Sequence, residues 1–323
     1  MTTQVGPSDE RFVEIFGRPV RVRAWGEGPP VLLINGLGAN VTTWTALLQQ
    51  LEGFQVISFD APGVGRSPAP RAPYGIGHLA DVARHVLDKT GLERADVLGY
   101  SLGGAVAQQL ALHHPERVRR LVLASTSCGA GGVPGSLSAL LAVSTPARHY
   151  ATVGYRVAMR MIDLAPAEKE SDHVQEQTKV WHREAVPSVI GYALQMTAFS
   201  TFHSLPWLHR VTHPTLLLSG STDRLVPVAN SAILAAHLPH ARLRVYDRWG
   251  HYLLLDPASG AGATVADFLG AEDYASSAAW TEATEVTAGR LADYLQSSPR
   301  SAHPAGVTGR LLRWRYALPQ DPA

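Results

Sequence analysis

The chain has 323 residues, 46% of them hydrophobic and 17% charged, enough to bury one large α/β core or two small ones. Its formal net charge is +1, and although Arg outnumbers Lys by 25 to 3, the cations are scattered among acids; this argues against a nucleic-acid binder that works by neutralising phosphates. A single cysteine, Cys128, excludes an intramolecular disulfide and a thiolate zinc site, and is expected as small apolar filler.

The opening MTTQVGPSDERF has neither a positively charged start nor an apolar segment, and no apolar run approaches the roughly 18 residues of a membrane span, so the expectation is a soluble, cytoplasmic protein with no transmembrane segment. RFVEIFGRPVRVRAWG then reads as two strands joined at Gly17. PPVLLING (29–36), FQVISFD (54–60), ADVLGY (95–100), VRRLVLAST (118–126), HPTLLLSG (213–220) and ARLRVYD (241–247) read as further strands. Helical patterns fill the intervals at Thr43–Leu51, Gly77–Lys89, Leu102–His113 and Ala229–His237. Strands rich in Val, Ile and Leu that alternate with helices predict a doubly wound, mostly parallel sheet covered on both faces.

That alternation stops between Gly129 and Arg210, where helical patterns such as Ser136–Ala142 and Ser188–Phe199 replace strands, and an inserted helical cap over the sheet edge is the expectation. The predicted organisation is a first core segment (1–128), the cap (129–210), a second core segment (211–270) and a C-terminal helical extension with a tail (271–323). In the tail, GRLLRWRYALP sets Arg310, Arg313 and Arg315 among Leu311, Leu312, Trp314 and Tyr316, a pattern that suits a granule or membrane surface. A tail packed on the body or left without fixed structure is the preferred alternative.

The most informative stretch is DVLGYSLGG, where an apolar strand is broken by Ser101 between Gly99 and Gly103. G-x-S-x-G between a predicted strand and a predicted helix gives a tight turn that lifts the serine hydroxyl above the sheet at a helix N-terminus, beside the backbone N–H of Leu102. The alternative is a Gly-rich turn of no chemical use. A serine hydroxyl needs an imidazole to take its proton, and the imidazole needs a carboxylate to hold its tautomer. Asp223 in GSTDRLVP and His251 in WGHYLLLD each follow a predicted strand, which puts them at the same sheet edge as Ser101.

A second candidate oxyanion donor is the N–H of Leu37, in the glycine-rich turn of VLLINGLGAN, with an ordinary turn as the alternative. Asp247 and Asp256 flank His251 as reserve candidates for the acid. Asp60, in FDAPGVGRS, is expected to organise its own turn. His113 and His114 are expected at a helix end rather than on a metal.

NGLGAN, DAPGVGRS, GYSLGG, GSTDRLVP and GHYLLLD in this order resemble the α/β-hydrolase superfamily over roughly Phe12 to Phe268. Within it, INGLGAN with Asn35 where many relatives have His, FDAPGVGRSPAPRAPY, GGAVAQQLALHHPERVRRLVLAST followed by GGVPG, and SLPWLHRVTHPTLLLSG resemble the intracellular depolymerases of medium-chain poly(3-hydroxyalkanoate). The resemblance implies an α/β-hydrolase fold, Ser101 as nucleophile, Asp223 as acid and His251 as base. It also implies a polyester or its oligomers as substrate.

The expected chemistry is therefore hydrolysis of carboxylic esters through an acyl-enzyme, with no metal or organic cofactor, on a hydrophobic 3-hydroxyacyl substrate that the polymer granule surface would present. Leu137, Leu140, Met196, Phe199 and Phe202 are candidate acyl contacts in the cap. Alternatives are a general esterase or lipase, a lactone, thioester or C–C bond hydrolase, and a non-enzymatic ligand receptor. Dehalogenation and epoxide opening are disfavoured, because they use Asp where this chain has Ser101.

Overall fold

A computed structural model describes residues 8–150, 152–162 and 186–297. The arginine-rich segment 310–316 lies outside these residues, as does part of the expected cap. β1 (Ser8–Ile15) and β2 (Arg18–Trp25) form an antiparallel hairpin. Phe16 and Gly17 join them at φ of 51° and 68°, the pair of left-handed residues that lets a two-residue loop follow the strand twist. β3 (Pro30–Ile34), β4 (Gln55–Phe59), β5 (Ala95–Tyr100), β6 (Val118–Ala124), β7 (Thr215–Gly220) and β8 (Ala241–Tyr246) complete one sheet in the order β1-β2-β4-β3-β5-β6-β7-β8. β2 meets β4 antiparallel, and every pairing from β4 onward is parallel.

The helices expected at Gly77–Lys89, Leu102–His113, Ala229–His237, Ser136–Ala142 and Ser188–Phe199 are present to within a residue at each end, and the remaining expected one differs. A single helix is expected over Thr43–Leu51. The structure instead has a 3-10 turn at Val41–Trp44 and a short α1 (Thr45–Leu48), because the Asn40 side chain accepts the Thr42 N–H at 2.9 Å and starts the turn early. α2 (Ile76–Lys89) and α3 (Leu102–His113) follow. The inserted region contributes α4 (Leu137–Val143), α5 (Ala147–Tyr150), α6 (Thr152–Ile162) and α7 (Val189–Ser200). Then come α8 (Val228–His237), α9 (Ala261–Gly270), α10 (Ala278–Thr281) and α11 (Ala288–Ser297).

Successive strand residues point to opposite faces, so neighbours in one strand serve different cores. Leu32 and Ile34 of β3 join a cluster with α2, α3, α8 and Leu291 and Leu295 of α11. Val31 and Leu33 join the opposite cluster with α1, α9 and Trp280 of α10. All six residues of β5 and of β7 are buried, as expected for central strands covered on both sides. Cys128 is fully buried in the first cluster.

Asp60, at the end of β4, does more than cap its own turn. Its carboxylate accepts the N–H of Arg66 at 2.9 Å and that of Val41 at 2.8 Å, and lies 3.5 Å from the buried guanidinium of Arg21. Burial pushes this carboxyl above its usual range against the pull of those donors. Arg21 also meets Glu10 at 2.7 Å, so one buried cation is shared between β1 and β4. Asp60→Ala would remove the carboxylate that accepts the Arg66 and Val41 N–H groups and one of the two that flank Arg21, and urea denaturation should register a loss of about 3–5 kcal/mol; a loss below ~1 kcal/mol would show that the cluster contributes little.

Candidate active site

Ser101 is the residue between β5 and α3, and its backbone sits at φ 54° and ψ −120°. Such a conformation costs a non-glycine residue on the order of 1–3 kcal/mol and persists only where its surroundings over-determine it. Here the Ser101 N–H donates to the Ala124 carbonyl at 2.9 Å, while its own carbonyl accepts the Thr126 hydroxyl at 2.7 Å and the Gly104 N–H at 2.9 Å. The flanking glycines are required by contact. A Cβ on Gly103 would run into the carbonyl oxygens of Ile34 and Asn35, and one on Gly99 would strike Gly103, Gly104 and Ala107. The helix thus leaves the sheet at a closeness that only backbone allows.

Asp223 follows β7 and His251 follows β8, and the sheet edge brings both to Ser101. His251 Nδ1 donates to Asp223 Oδ2 at 2.8 Å. With that proton on Nδ1, Nε2 faces the Ser101 hydroxyl as acceptor at 3.1 Å. The other carboxylate oxygen of Asp223 accepts the N–H groups of Leu225 and Val226 at 2.9 and 2.8 Å, which fixes the plane of the carboxylate. Asp223 and His251 are both buried. Asp247 instead lies exposed beside Arg248 and accepts from Ser221, and Asp256 caps its own turn through the Ala258 N–H. The carboxylate that meets His251 is therefore the one after β7.

Three residues without a motif of their own hold this arrangement. Tyr100 and Ser125 donate to the His251 carbonyl at 3.2 and 3.1 Å, so β5 and the turn after β6 anchor the backbone that carries the imidazole. Asn230 of α8 clamps Val133 in both directions, accepting its N–H and donating to its carbonyl at 2.8 Å each. This ties the segment before α4 to α8. Tyr100, Ser125 and Thr126 adjoin strand ends and could have been flagged from their positions. Asn230 has no such signal, because its partner lies 97 residues away.

Above Ser101 lies a cavity of about 440 Å³. Ser101, His251, Leu37 and Leu102 are on its wall, and Leu140, Val143, Met196 and Phe199 supply apolar surface from the inserted helices. Leu102 is the first residue of α3, so its N–H has no acceptor a turn earlier. Of the five expected acyl contacts, Leu140, Met196 and Phe199 line the cavity, Leu137 is exposed, and Phe202 packs in the core. His114 pairs with Asp81 and His113 with Gln109 at the end of α3, away from this wall.

Residues 29–146 and 183–258 match the family model of the alpha/beta hydrolase fold. The chain belongs to the α/β-hydrolase family. Among its relatives is the poly(3-hydroxyalkanoate) depolymerase of Ectopseudomonas oleovorans, 35% identical over 80% of this chain and 92% of that protein. The 2-hydroxy-6-oxo-2,4-heptadienoate hydrolase of Pseudomonas putida is 30% identical over 84% of this chain and the whole of its own length. Among solved α/β-hydrolase structures, the enol-lactonase of Burkholderia xenovorans superposes with a TM-score of 0.69 at 26% identity, covering 81% of this chain and all of that one. Among the described residues, no helix is long and apolar enough to cross a membrane.

The contact at Gly103 yields a direct test. Gly103→Ala must push α3 off the β3 carbonyls, and its melting temperature should fall by an amount equivalent to about 1–3 kcal/mol. A melting curve superimposable on that of the unaltered protein would mean the turn has slack.

Proposed function

We propose that this α/β-hydrolase cleaves carboxylic ester bonds through an acyl-enzyme, with Ser101 as nucleophile, His251 as general base and acid, and Asp223 as its orienting carboxylate. One observation carries the reading: the unbroken hydrogen-bond chain from Asp223 through His251 to the Ser101 hydroxyl, at 2.8 and 3.1 Å, on the wall of an apolar cavity. His251 Nε2 takes the hydroxyl proton as Ser101 Oγ attacks the ester carbon. The imidazolium, balanced by Asp223, then returns that proton to the departing alkoxide. A water activated by the same imidazole releases the acid and restores the serine.

The N–H groups of Leu102 and Leu37 would bind the tetrahedral oxygen, the first reinforced by the N-terminal end of α3. Residues 129–210 act in this reading as the cap that shapes the acyl pocket, and the chemistry needs no metal or organic cofactor.

Hydrophobic 3-hydroxyalkanoate polyester, or its oligomers, is the proposed substrate class. Its support is the 35% identity to the Ectopseudomonas depolymerase together with the aliphatic and aromatic cavity wall. Relatives named as a 3-oxoadipate enol-lactonase and as a 2-hydroxymuconate semialdehyde hydrolase make lactone or C–C bond hydrolysis the second reading. A polymer granule surface would be the physical partner in the first reading.

Ser101→Ala should lower hydrolysis of p-nitrophenyl esters by about 10⁴-fold or more, and Asp223→Asn by a similar factor through loss of the correct tautomer. A medium-chain polyester emulsion assayed beside soluble esters separates the substrate readings. Turnover confined to the soluble esters would remove the polymer assignment, and turnover retained in Ser101→Ala would remove the mechanism.

A further inference from the structure

The turn that carries Leu37 is held from outside the core. The Leu37 carbonyl accepts from Arg148 Nη2 of α5 at 3.0 Å, and the Gly38 N–H donates to Gln195 Oε1 of α7 at 2.8 Å. These two groups belong to one peptide unit, gripped at both edges by two different inserted helices. A peptide unit is planar, so holding its C=O and its N–H fixes the rotation of the whole unit. Gly38 sits at φ +70°, where rotation of that unit meets little steric resistance, so the restraint must come from the residues around it. His149 and Tyr192 close the space above, lying 2.8 Å from where a Cβ on Gly38 would stand.

The clamp is itself braced. Arg148 and Gln195 are buried, 8% and 1% exposed. The Arg148 guanidinium also donates to the Tyr192 hydroxyl and lies 5.4 Å from its ring centroid, and that hydroxyl donates to the Val143 carbonyl at 2.7 Å. Tyr192, Gln195, Met196 and Phe199 fall at helical spacing on one face of α7. The first two reach the Leu37 turn, and the last two line the cavity. The base of the helix is fixed to the core, because the Ser188 N–H and hydroxyl both donate to the Gly63 carbonyl at 3.1 Å.

We propose that Arg148 and Gln195 are positioning residues: by holding the Leu37–Gly38 peptide they fix Leu37 Cα from one side and so restrain the adjoining Gly36–Leu37 peptide, whose Leu37 N–H would face the developing oxyanion. The helix that contacts the acyl chain is thereby the helix that completes the oxyanion site. The proposal rests on the ester-hydrolase reading. Keeping the Leu37 carbonyl on the arginine also holds its lone pairs away from the anionic oxygen, so releasing it weakens stabilisation of the transition state more than ground-state binding.

The experiment compares Arg148→Met, Gln195→Leu and Gln195→Glu in the full chain, using a soluble p-nitrophenyl ester and amide hydrogen exchange over residues 36–41. Removing one oxyanion donor outright costs ~10²–10³-fold, so loosening its support should lower kcat by about 10–100-fold in the two truncating variants, with KM within roughly threefold. Gln195→Glu keeps an acceptor for the Gly38 N–H and should recover most of kcat. Exchange in the 36–41 segment should speed by about tenfold in the truncating variants, with β7 unchanged as the internal control for global stability.

Unchanged kcat, a rise in KM alone, or exchange that speeds equally in β7 would overturn the proposal. Exchange is read without turnover. If the unaltered protein cleaves no ester, it is the hydrolase reading that fails, and unchanged exchange rates would then overturn the clamp separately.

Discussion

Ser101 is held in a backbone conformation that a serine would not choose, and the contacts around the β5–α3 turn have to outweigh that preference. They can do so only if α3 approaches β3 closely enough for Gly103 to rest on the carbonyls of Ile34 and Asn35. The approach requires parallel strands in adjacent register, with Ile34 opposite Gly99, and a buried sheet on which the helix can lie. The fully buried β5 and β7, the opposed cores and the position of the Leu37 turn above Ser101 all conform to it. Gly36 is part of the same constraint, since a Cβ there would stand 3.2 Å from that of Ser101.

From that turn the geometry spreads along the sheet edge. β7 and β8 pair in parallel, so the loops after Gly220 and Tyr246 emerge side by side, and Asp223 and His251 meet although 28 residues separate them. Tyr100 and Ser125 reach the His251 carbonyl from the strands on the other side. The imidazole is therefore held through its ring by a carboxylate and through its backbone by two hydroxyls, with Nε2 facing the Ser101 hydroxyl. Preorganisation of this kind lets charge develop without the reorganisation that water would need.

Much of this was legible in the sequence because the relevant signals are local. The strand–turn–helix around Ser101, the Gly17 hairpin and the strand-end positions of Asp223 and His251 can each be read within a window of about ten residues from turn chemistry and periodicity. What was not legible depends on contacts between distant segments. Arg148 and Gln195 lie 111 and 157 residues from the backbone they hold, and nothing beside them in the chain marks them. The split at Val41–Trp44 is invisible to hydrophobic periodicity, because it is set by the capping side chain of Asn40. Among the expected acyl contacts, Leu137 and Phe202 have the right chemistry but the wrong face, which is settled only when the helices pack.

The chain after Phe268 has a consequence for how the molecule meets others. Thr284 exchanges both backbone hydrogen bonds with Leu243 at 2.8 Å, and Trp280 stacks on Phe268 at 5.8 Å, so this segment roofs the outer strand β8. At the other margin, β1 carries Asp9, Glu10, Arg11 and Glu14, charges that discourage pairing with a foreign strand. With one border covered by its own chain and the other guarded electrostatically, the sheet offers little purchase for β-augmentation. Docking onto another body would then fall to side chains, leaving the backbone ladder intact.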